Sequence, residues 1–241
     1  MRAVIDVVVA TLLAPPCVSC GAVLDSTRSP ACARCWRNLH LIEPPACIRC
    51  GAPLLSAAAH VRCPGAGSAI TRAAALGPFQ GVLRDLIHAF KYDSRRSLAD
   101  ALAARMPPPA LDVVEAADAL VPVPLHPWRH RRRGFNQADD LAAAMGRVTN
   151  RPVWRLLRRI SATRSQAALD AAARRRNVDG AFAPAGWTSR GRSRTASRAA
   201  GRILVLVDDV ATTGATLEAC ARVLAECGAQ EVRALTLARV T

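Results

Sequence analysis

The residues of this chain best suited to chemistry lie near its carboxyl end, where Asp208 and Asp209 stand side by side. Two adjacent carboxylates can accept hydrogen bonds from two neighbouring sugar hydroxyls. The residues that follow are small or carry hydroxyls, and they are Ala211, Thr212, Thr213, Gly214, Ala215 and Thr216. Backbone N–H groups of such a loop can point at a phosphate, whose charge a following helix dipole favours. The run therefore predicts a sugar-phosphate site.

The elements around this run would position it. The apolar run 203–207 before the acidic pair predicts a buried parallel strand. A helix is predicted after the loop, with four residues on one face: Leu217, Cys220, Leu224 and Cys227. Ligands of open α/β sheets bind outside the carboxyl ends of strands, which is where the pair would lie. Helix capping by Thr213 or Thr216 is the simpler alternative, but it leaves the acidic pair without a role.

An arginine-rich loop between residues 126 and 133 is a second candidate for phosphate binding. The segment Val121–Pro124 ends an earlier strand, because its prolines cannot continue a ladder. The loop arginines are Arg129, Arg131, Arg132 and Arg133. A guanidinium group donates paired hydrogen bonds to a diphosphate, and Arg133 is our candidate for that contact. A solvated basic loop that touches nucleic acid without specificity is the alternative.

Cysteine pairs with regular spacing fill the amino-terminal part of the chain. Seven of the nine cysteines precede residue 64, and the flanks of the first and third pairs repeat after 30 residues. The eight candidate metal ligands are Cys17, Cys20, Cys32, Cys35, Cys47, Cys50, His60 and Cys63. Two CxxC-type pairs hold one tetrahedral ion, so the pattern predicts two structural Zn²⁺ ions. The spacing leaves the pairing of the ligands open, and disulfides or a redox role are the alternatives. We expect Cys220 and Cys227 to be core residues.

The positive net charge of the chain indicates which classes of partner it could bind. The net charge is +15, nearly all of it from arginine, which favours phosphate-bearing partners, although arginine richness can equally reflect genome composition. Aromatic residues make up only 4% of the chain, which argues against a base-stacking platform. The apolar start, Met1–Leu13, is interrupted by Asp6 and lacks a small-residue cleavage site. We therefore expect a short amphipathic helix there, no membrane span and a cytoplasmic protein.

Two motifs resemble known families. The segment from Val205 to Thr216 resembles the PRPP-binding motif of type I phosphoribosyltransferases. The segment from Leu120 to Gln137, which reads LVPVPLHPWRHRRRGFNQ, resembles the signature of the ComF family, proteins similar to amidophosphoribosyltransferases and linked with DNA uptake. Further matches are Leu86–Tyr92, Arg164–Gln166 and Arg175–Phe182, so that the resemblance covers nearly the whole chain.

This resemblance implies a fold and a set of roles. The fold would be α/β, a mostly parallel sheet flanked by helices in residues 69–241, after an amino-terminal helix and double zinc ribbon in residues 1–68. Asp208 and Asp209 would hold the ribose hydroxyls, residues 211–216 the 5′-phosphate, and Mg²⁺ would bind with PRPP. A mobile loop, 164–177, would carry Gln166 as a catalytic residue. Lys91, the only lysine, is either a PRPP contact or a surface residue.

Two departures from the family pattern stand out. His60 occupies a position where cysteine is more usual, and the Gly/Arg/Ser tract 186–201 is predicted to be a disordered insertion. The function that this resemblance implies is transfer of a 5-phosphoribosyl group to an unknown nitrogen acceptor, with a possible link to DNA uptake. The alternative is a non-catalytic nucleotide sensor, or a protein that handles single-stranded DNA with its ribbon and basic surface. The acceptor and the oligomeric state cannot be read from the sequence.

Overall fold

The computed structural model describes residues 16–24, 29–54, 63, 67–92, 95–126, 128, 131, 133–160, 180–186 and 194–240. In chain order, its elements are α1 (Ala33–Arg37), β1 (Arg72–Pro78), α2 (Gly81–Tyr92), α3 (Leu98–Ala103), α4 (Pro108–Val114), β2 (Ala119–Pro122), α5 (Gln137–Thr149), β3 (Leu157–Arg159), β4 (Phe182–Pro184), α6 (Arg194–Ala199), β5 (Ile203–Ala211), α7 (Ala215–Glu226) and β6 (Glu231–Arg239). The expected amino-terminal helix lies outside the described residues.

A parallel sheet with the strand order β1-β6-β5-β2 forms the centre of the molecule. Its central strands are continuous apolar runs, as strands covered on both faces require. Val205 and Val207 pack against α2, α3, α4 and α5 on one face, whereas Leu204 and Leu206 pack against α7 on the other. A short antiparallel pair, β3-β4, joins the second face. The predicted α/β class, with its mostly parallel sheet between helices, is confirmed.

The cysteine-rich segment covers the outer edge of β1. Ile42 N donates to Leu76 O at 2.9 Å, and Ala73 N donates to Ile48 O at 2.8 Å. These bonds occupy backbone groups that an exposed edge strand would present to other chains. The two parts of the chain also share a core, since Cys17, Leu24 and Leu39 are buried in the same cluster as residues of α2. The ribbon is therefore packed onto the sheet and is not a separate appendage.

Part of the tract expected to be disordered is ordered instead. Residues 194–199 form α6, and the Thr195 hydroxyl lies 2.7 Å from Ala185 O and 2.9 Å from Leu156 O. Ala199 is fully buried in the core cluster on the α7 face. Composition gave the wrong expectation for residues 194–199, because the small side chains of Thr195 and Ala199 are enough to anchor this short helix. Residues 187–193 of the tract lie outside the described residues. Within the described part of the chain, no helix has the length and apolar character to cross a membrane.

Gly77 provides a test of the contact between ribbon and sheet. A Cβ atom at this position would lie 2.2 Å from His40 O and 2.9 Å from a methyl group of Leu83. We predict that Gly77→Ala lowers the free energy of unfolding by about 3 kcal/mol, because the ribbon backbone must move away from β1. Gly201→Ala is the control, since no atom lies within 4 Å of its added Cβ and only its positive φ is strained. Urea unfolding measures both variants, and equal effects would contradict the close contact.

Candidate functional site

The acidic pair lies inside the sheet near the carboxyl end of β5. The strand does not end at Val207 as expected, because its parallel pairing with β6 continues to the partners Ala211 and Arg239. Asp208 and Asp209 are therefore held by ladder geometry, and both are partly buried. Asp209 N also donates to Asp208 Oδ1 at 2.8 Å. The sheet fixes the backbone of both carboxylates before any ligand arrives.

The acidic pair lies at the point where the connections of neighbouring strands run to opposite sides of the sheet. β5 leads through α7 to β6 on one side, whereas β2 leads through α5 to Val153, which bridges to Leu120 on the other side. The two helices also lie on opposite faces, since α5 packs in the cluster of Val205 and α7 in the cluster of Leu204. The carboxyl ends of β2 and β5 therefore flank a crevice, the usual place for a ligand in an open α/β sheet.

The loop after β5 ends in a backbone turn that favours glycine. Gly214 has φ +76° and is the N-cap of α7, and no side chain caps the helix at that position. Neither Thr213 nor Thr216 is therefore the N-cap of α7. Thr213 Oγ1 does accept a hydrogen bond of 3.4 Å from Ala215 N. Glu218 in the first turn accepts bonds from Ser68 Oγ and Ala69 N, which anchors α7 to the segment before β1. The loop is a short connection between two firmly held elements.

The carboxyl end of α2 brings cationic groups to this crevice. Lys91 Nζ lies 3.0 Å from Asp209 Oδ1, and the two side chains are 18% and 15% exposed. The guanidinium carbon of Arg133 lies 5.1 Å from the ring centroid of Tyr92, and Arg133 Nη1 donates to Gln137 Oε1 at 3.0 Å. Both cations therefore meet the last turn of α2. Among the other predicted residues, Arg129, Arg132 and Gln166 lie outside the described residues.

The environment of Asp208 favours its protonated form. Burial raises the pKa of Asp208, and the neighbouring charge of Asp209 raises it further, to about 7. The Asp209 N–H group, the Lys91 ammonium and the Arg159 guanidinium act in the opposite direction but do not cancel the shift. A ligand that offers hydroxyl donors or a cation would therefore stabilise the ionised form of Asp208. The donor set fits Mg²⁺, which prefers carboxylate oxygens together with oxygens of its ligand.

The raised pKa of Asp208 predicts that the difference in stability between the wild type and the variant Asp208→Asn depends on pH. The folded pKa of about 7 exceeds the ordinary value for an aspartate, so between the two values the folded state retains a proton that the unfolded state has lost. Stability of the wild type therefore falls as pH rises from about 4 to about 7. We expect the free energy of unfolding of the variant, relative to wild type, to rise by about 2–4 kcal/mol over this interval.

Urea titrations at several pH values measure this difference. Asp112→Asn is the matched control, because Asp112 is exposed on α4. A difference between Asp208→Asn and wild type that stays constant from pH 4 to pH 8 would contradict the raised pKa.

Seven of the predicted metal ligands form two groups. The Sγ atoms of Cys17, Cys20, Cys32 and Cys35 all lie within 4.8 Å of one another, and so do those of Cys47, Cys50 and Cys63. The pairs therefore combine in sequence order and do not interleave, a point that spacing left open. Both groups are consistent with structural zinc sites. His60, the expected fourth ligand of the second group, lies outside the described residues.

Thiols of the two groups differ in acidity. Burial raises the pKa of Cys17, but N–H groups of Cys20 and Cys32 outweigh this effect and lower it to about 6. Burial raises the pKa of Cys50 to about 12, against the positive charge of Arg239. A bound Zn²⁺ would deprotonate both.

Arg239 and Arg159 were not found by sequence reasoning. Arg239 is the buried last residue of β6, and its charge acts on the thiols of Cys50 and Cys63. Arg159 ends β3, and its charge acts on Asp208. A charged residue at the end of an apolar strand was the available signal for Arg239. Arg159 gave no local signal, because only the tertiary fold brings β3 towards β5.

Zinc content tests the two groups. We predict two zinc ions per chain in the wild type and one in Cys50→Ser, because that variant loses a thiolate from the second group only. Cys227→Ser is the control and should retain two, since Cys227 packs against the core beside α7. Metal analysis of the purified proteins provides the count. Loss of both ions in Cys50→Ser, or of any ion in Cys227→Ser, would contradict the assignment.

Comparison with known proteins identifies the family. Residues 8–66 match the double zinc ribbon domain, and residues 132–240 match the phosphoribosyl transferase domain. The chain is 35% identical to the DNA utilization protein YhgH of Escherichia coli K12 over 167 residues, which cover 65% of this chain and 67% of that protein. It is 36% identical to the competence protein F of Haemophilus influenzae over 123 residues, 51% of this chain and 50% of that protein. The chain belongs to the ComF family.

The similarity of this ComF chain to its relatives covers only part of their length, and the phosphoribosyl transferase match covers only part of the candidate site. A further relative, the competence protein ComFC of Bacillus subtilis, is 33% identical over 121 residues, 50% of this chain and 44% of that protein. The aligned part thus spans between 44% and 67% of these three relatives. The phosphoribosyl transferase match contains Arg133 and the run 208–216, whereas Lys91 and Tyr92 precede it. The ComF chain is accordingly a phosphoribosyltransferase-like protein with a double zinc ribbon.

Proposed function

We propose that this ComF chain binds PRPP in the crevice between β5 and β2 and transfers its 5-phosphoribosyl group to a nitrogen nucleophile. One observation carries the proposal: the adjacent carboxylates of Asp208 and Asp209 lie at the switch point of the sheet, on the strand that leads into the glycine turn before α7. An acidic pair alone would suit many ligands. A diol site next to a phosphate site suits a ribose 5-phosphate.

Each part of the crevice has a proposed role. Asp208 and Asp209 accept hydrogen bonds from the ribose hydroxyls, and residues 211–216 donate to the 5′-phosphate. Lys91, in the last turn of α2, and Arg133, whose guanidinium lies over the Tyr92 ring, would meet the diphosphate. Mg²⁺ bound with PRPP would neutralise part of the diphosphate charge. Because hydrogen-bonded hydroxyls favour the ionised carboxyl, PRPP binding would release the proton held by Asp208 near neutral pH.

The proposed reaction is a single displacement at the sugar. The nitrogen lone pair forms a bond to C1 of the ribose while the bond from C1 to the diphosphate oxygen breaks, and that electron pair leaves with the diphosphate. The proton lost by the nitrogen passes to solvent. The chain would contribute charge stabilisation to the cationic sugar and the leaving group. Gln166, in the loop proposed to close over the crevice, remains a predicted participant in this step.

The names of the relatives suggest where such a reaction is used. Because they are described as DNA utilization and competence proteins, we propose that the phosphoribosyl chemistry serves DNA uptake or use. We also propose a cytoplasmic location, where a reducing compartment keeps the cysteine pairs available for zinc.

Thermal unfolding and diphosphate release together test the proposal. We predict that PRPP with Mg²⁺ stabilises the wild type by about 3 kcal/mol at 100 times its dissociation constant. The double variant Asp208→Asn/Asp209→Asn should lose this gain, because neutral amides replace the acceptors of the diol. The exposed control Asp112→Asn should keep it.

Diphosphate release separates an enzyme from a sensor. Release that depends on an added nitrogen acceptor and is lost in the double variant would support transfer. Stabilisation by PRPP without release for any nucleobase or amine would leave a binding protein. No stabilisation of the wild type by PRPP would contradict the proposed function.

A further inference from the structure

A groove of about 780 Å³ lies between the first cysteine knuckle and α2. Val18 and Ser19, inside the Cys17–Cys20 turn, line one side of it, and Asp85, His88 and Tyr92 line the other. The phosphoribosyl transferase match begins at residue 132, so no part of the groove lies within it. A space of this size holds a planar heterocycle or a nucleoside.

The rings of His88 and Tyr92 line the helix side of the groove and form a row with the ring of Phe79, which is not part of the lining. The rings of Phe79 and His88 lie 6.2 Å apart with an interplanar angle of 27°, and those of His88 and Tyr92 lie 5.9 Å apart at 52°. Tyr92 is 58% exposed, a large fraction for an aromatic residue in a chain with so few of them. The Arg133 guanidinium lies over one face of the Tyr92 ring, so a nucleobase would stack on the ring surface that remains exposed, at about 1–3 kcal/mol per base.

A partly buried carboxylate lies beside this row. Asp85 Oδ2 accepts a bond of 2.8 Å from Ser19 Oγ, and Asp85 Oδ1 lies 3.5 Å from Arg84 Nη2. The 3.5 Å separation on the second oxygen is at the limit of a hydrogen bond, which leaves that oxygen available to a shorter donor. A carboxylate that only accepts selects for ligands that carry N–H groups. An amino-substituted ring would satisfy both the carboxylate and the aromatic row.

Tyr92 connects the groove to the cations of the crevice. Tyr92 follows Lys91, whose ammonium pairs with Asp209, and the Tyr92 ring carries the guanidinium of Arg133. We propose that the groove holds the nitrogen acceptor of the reaction, an amino-substituted planar heterocycle of the nucleobase class. This inference rests on the proposed function, because it assigns the second substrate of the same site. His88 and Tyr92 would stack the ring, and Asp85 would accept from its amino group.

Adenine and purine are the probes that test the assignment, because purine stacks in the same way but has no amino group. Calorimetric titration of the full chain with Mg²⁺ and PRPP present measures both affinities. We expect adenine to bind at least fivefold more tightly than purine. Asp85→Asn keeps an acceptor for Ser19 but loses the charge, and it should abolish the preference for adenine. Tyr92→Leu should weaken both probes by a similar factor, at least fivefold. Asp112→Asn serves as the control and should behave as wild type, because Asp112 is exposed on α4 and does not line the groove.

Each outcome decides one of the two claims. Equal binding of adenine and purine to the wild type, or an unchanged preference in Asp85→Asn, would overturn the role of Asp85. Undiminished binding to Tyr92→Leu, or no binding of either probe to a wild type that PRPP stabilises, would overturn the groove as the acceptor site while leaving the PRPP proposal intact. Adenine binding that is lost in Tyr92→Leu, in a wild type that PRPP does not stabilise, would support the groove and contradict the PRPP site. Far-ultraviolet circular dichroism of each variant separates loss of binding from loss of folding.

Discussion

Burial of two carboxylates on consecutive residues of one strand is the constraint on which the proposed site depends. Asp208 and Asp209 are both partly buried, and the ladder between β5 and β6 fixes their backbone at consecutive positions of one strand. Lys91 compensates one charge, and protonation of Asp208 relieves the other. The burial and the mutual repulsion of these carboxylates raise the free energy of the free protein, and a bound diol and cation would lower it. The arrangement lowers the stability of the free protein, and under the proposed function that loss would be recovered when the ligand binds.

The zinc ribbon has a structural task in this arrangement. Its backbone completes the outer edge of β1, and Gly77 allows the two backbones to approach closely. The second cysteine group lies near Arg239, whose backbone partner in the ladder is Ala211, the first residue of the proposed phosphate loop. The ribbon is thereby connected to both sides of the crevice, through β6 to the loop and through α2 to Lys91. A ribbon placed in this way helps to hold the site as well as the fold.

The sequence carried local information well and long-range information poorly. The apolar run before Asp208 and the helical spacing of Leu217, Cys220 and Leu224 predicted β5 and α7, because buried parallel strands and amphipathic helices leave periodic signals. The fold class followed from those elements and from the resemblance. The end of β5 was placed four residues too early, since Asp208 and Asp209 break the apolar pattern before the last pairs of β5 with β6.

Other features had no local signal at all. The order in which the cysteine pairs combine depends on how two knuckles pack, and α6 depends on the burial of Thr195 and Ala199 against partners distant in sequence. The approach of Lys91 to Asp209 spans more than a hundred residues of chain, and the sequence left Lys91 as either a ligand contact or a surface residue. Contacts of this kind arise from the tertiary fold.

Titration of the chain with ribose 5-phosphate and with 2-deoxyribose 5-phosphate tests the central claim most directly. The two ligands share the phosphate and differ by one hydroxyl, so their ratio of affinities isolates the contact with the acidic pair. A hydrogen bond from a hydroxyl to a carboxylate contributes about 1.5–3 kcal/mol, which corresponds to a ratio of at least about tenfold. The account predicts this ratio for the wild type and its loss when Asp208 and Asp209 are both changed to asparagine. Equal affinities of the wild type for both sugars would contradict a diol site at the end of β5.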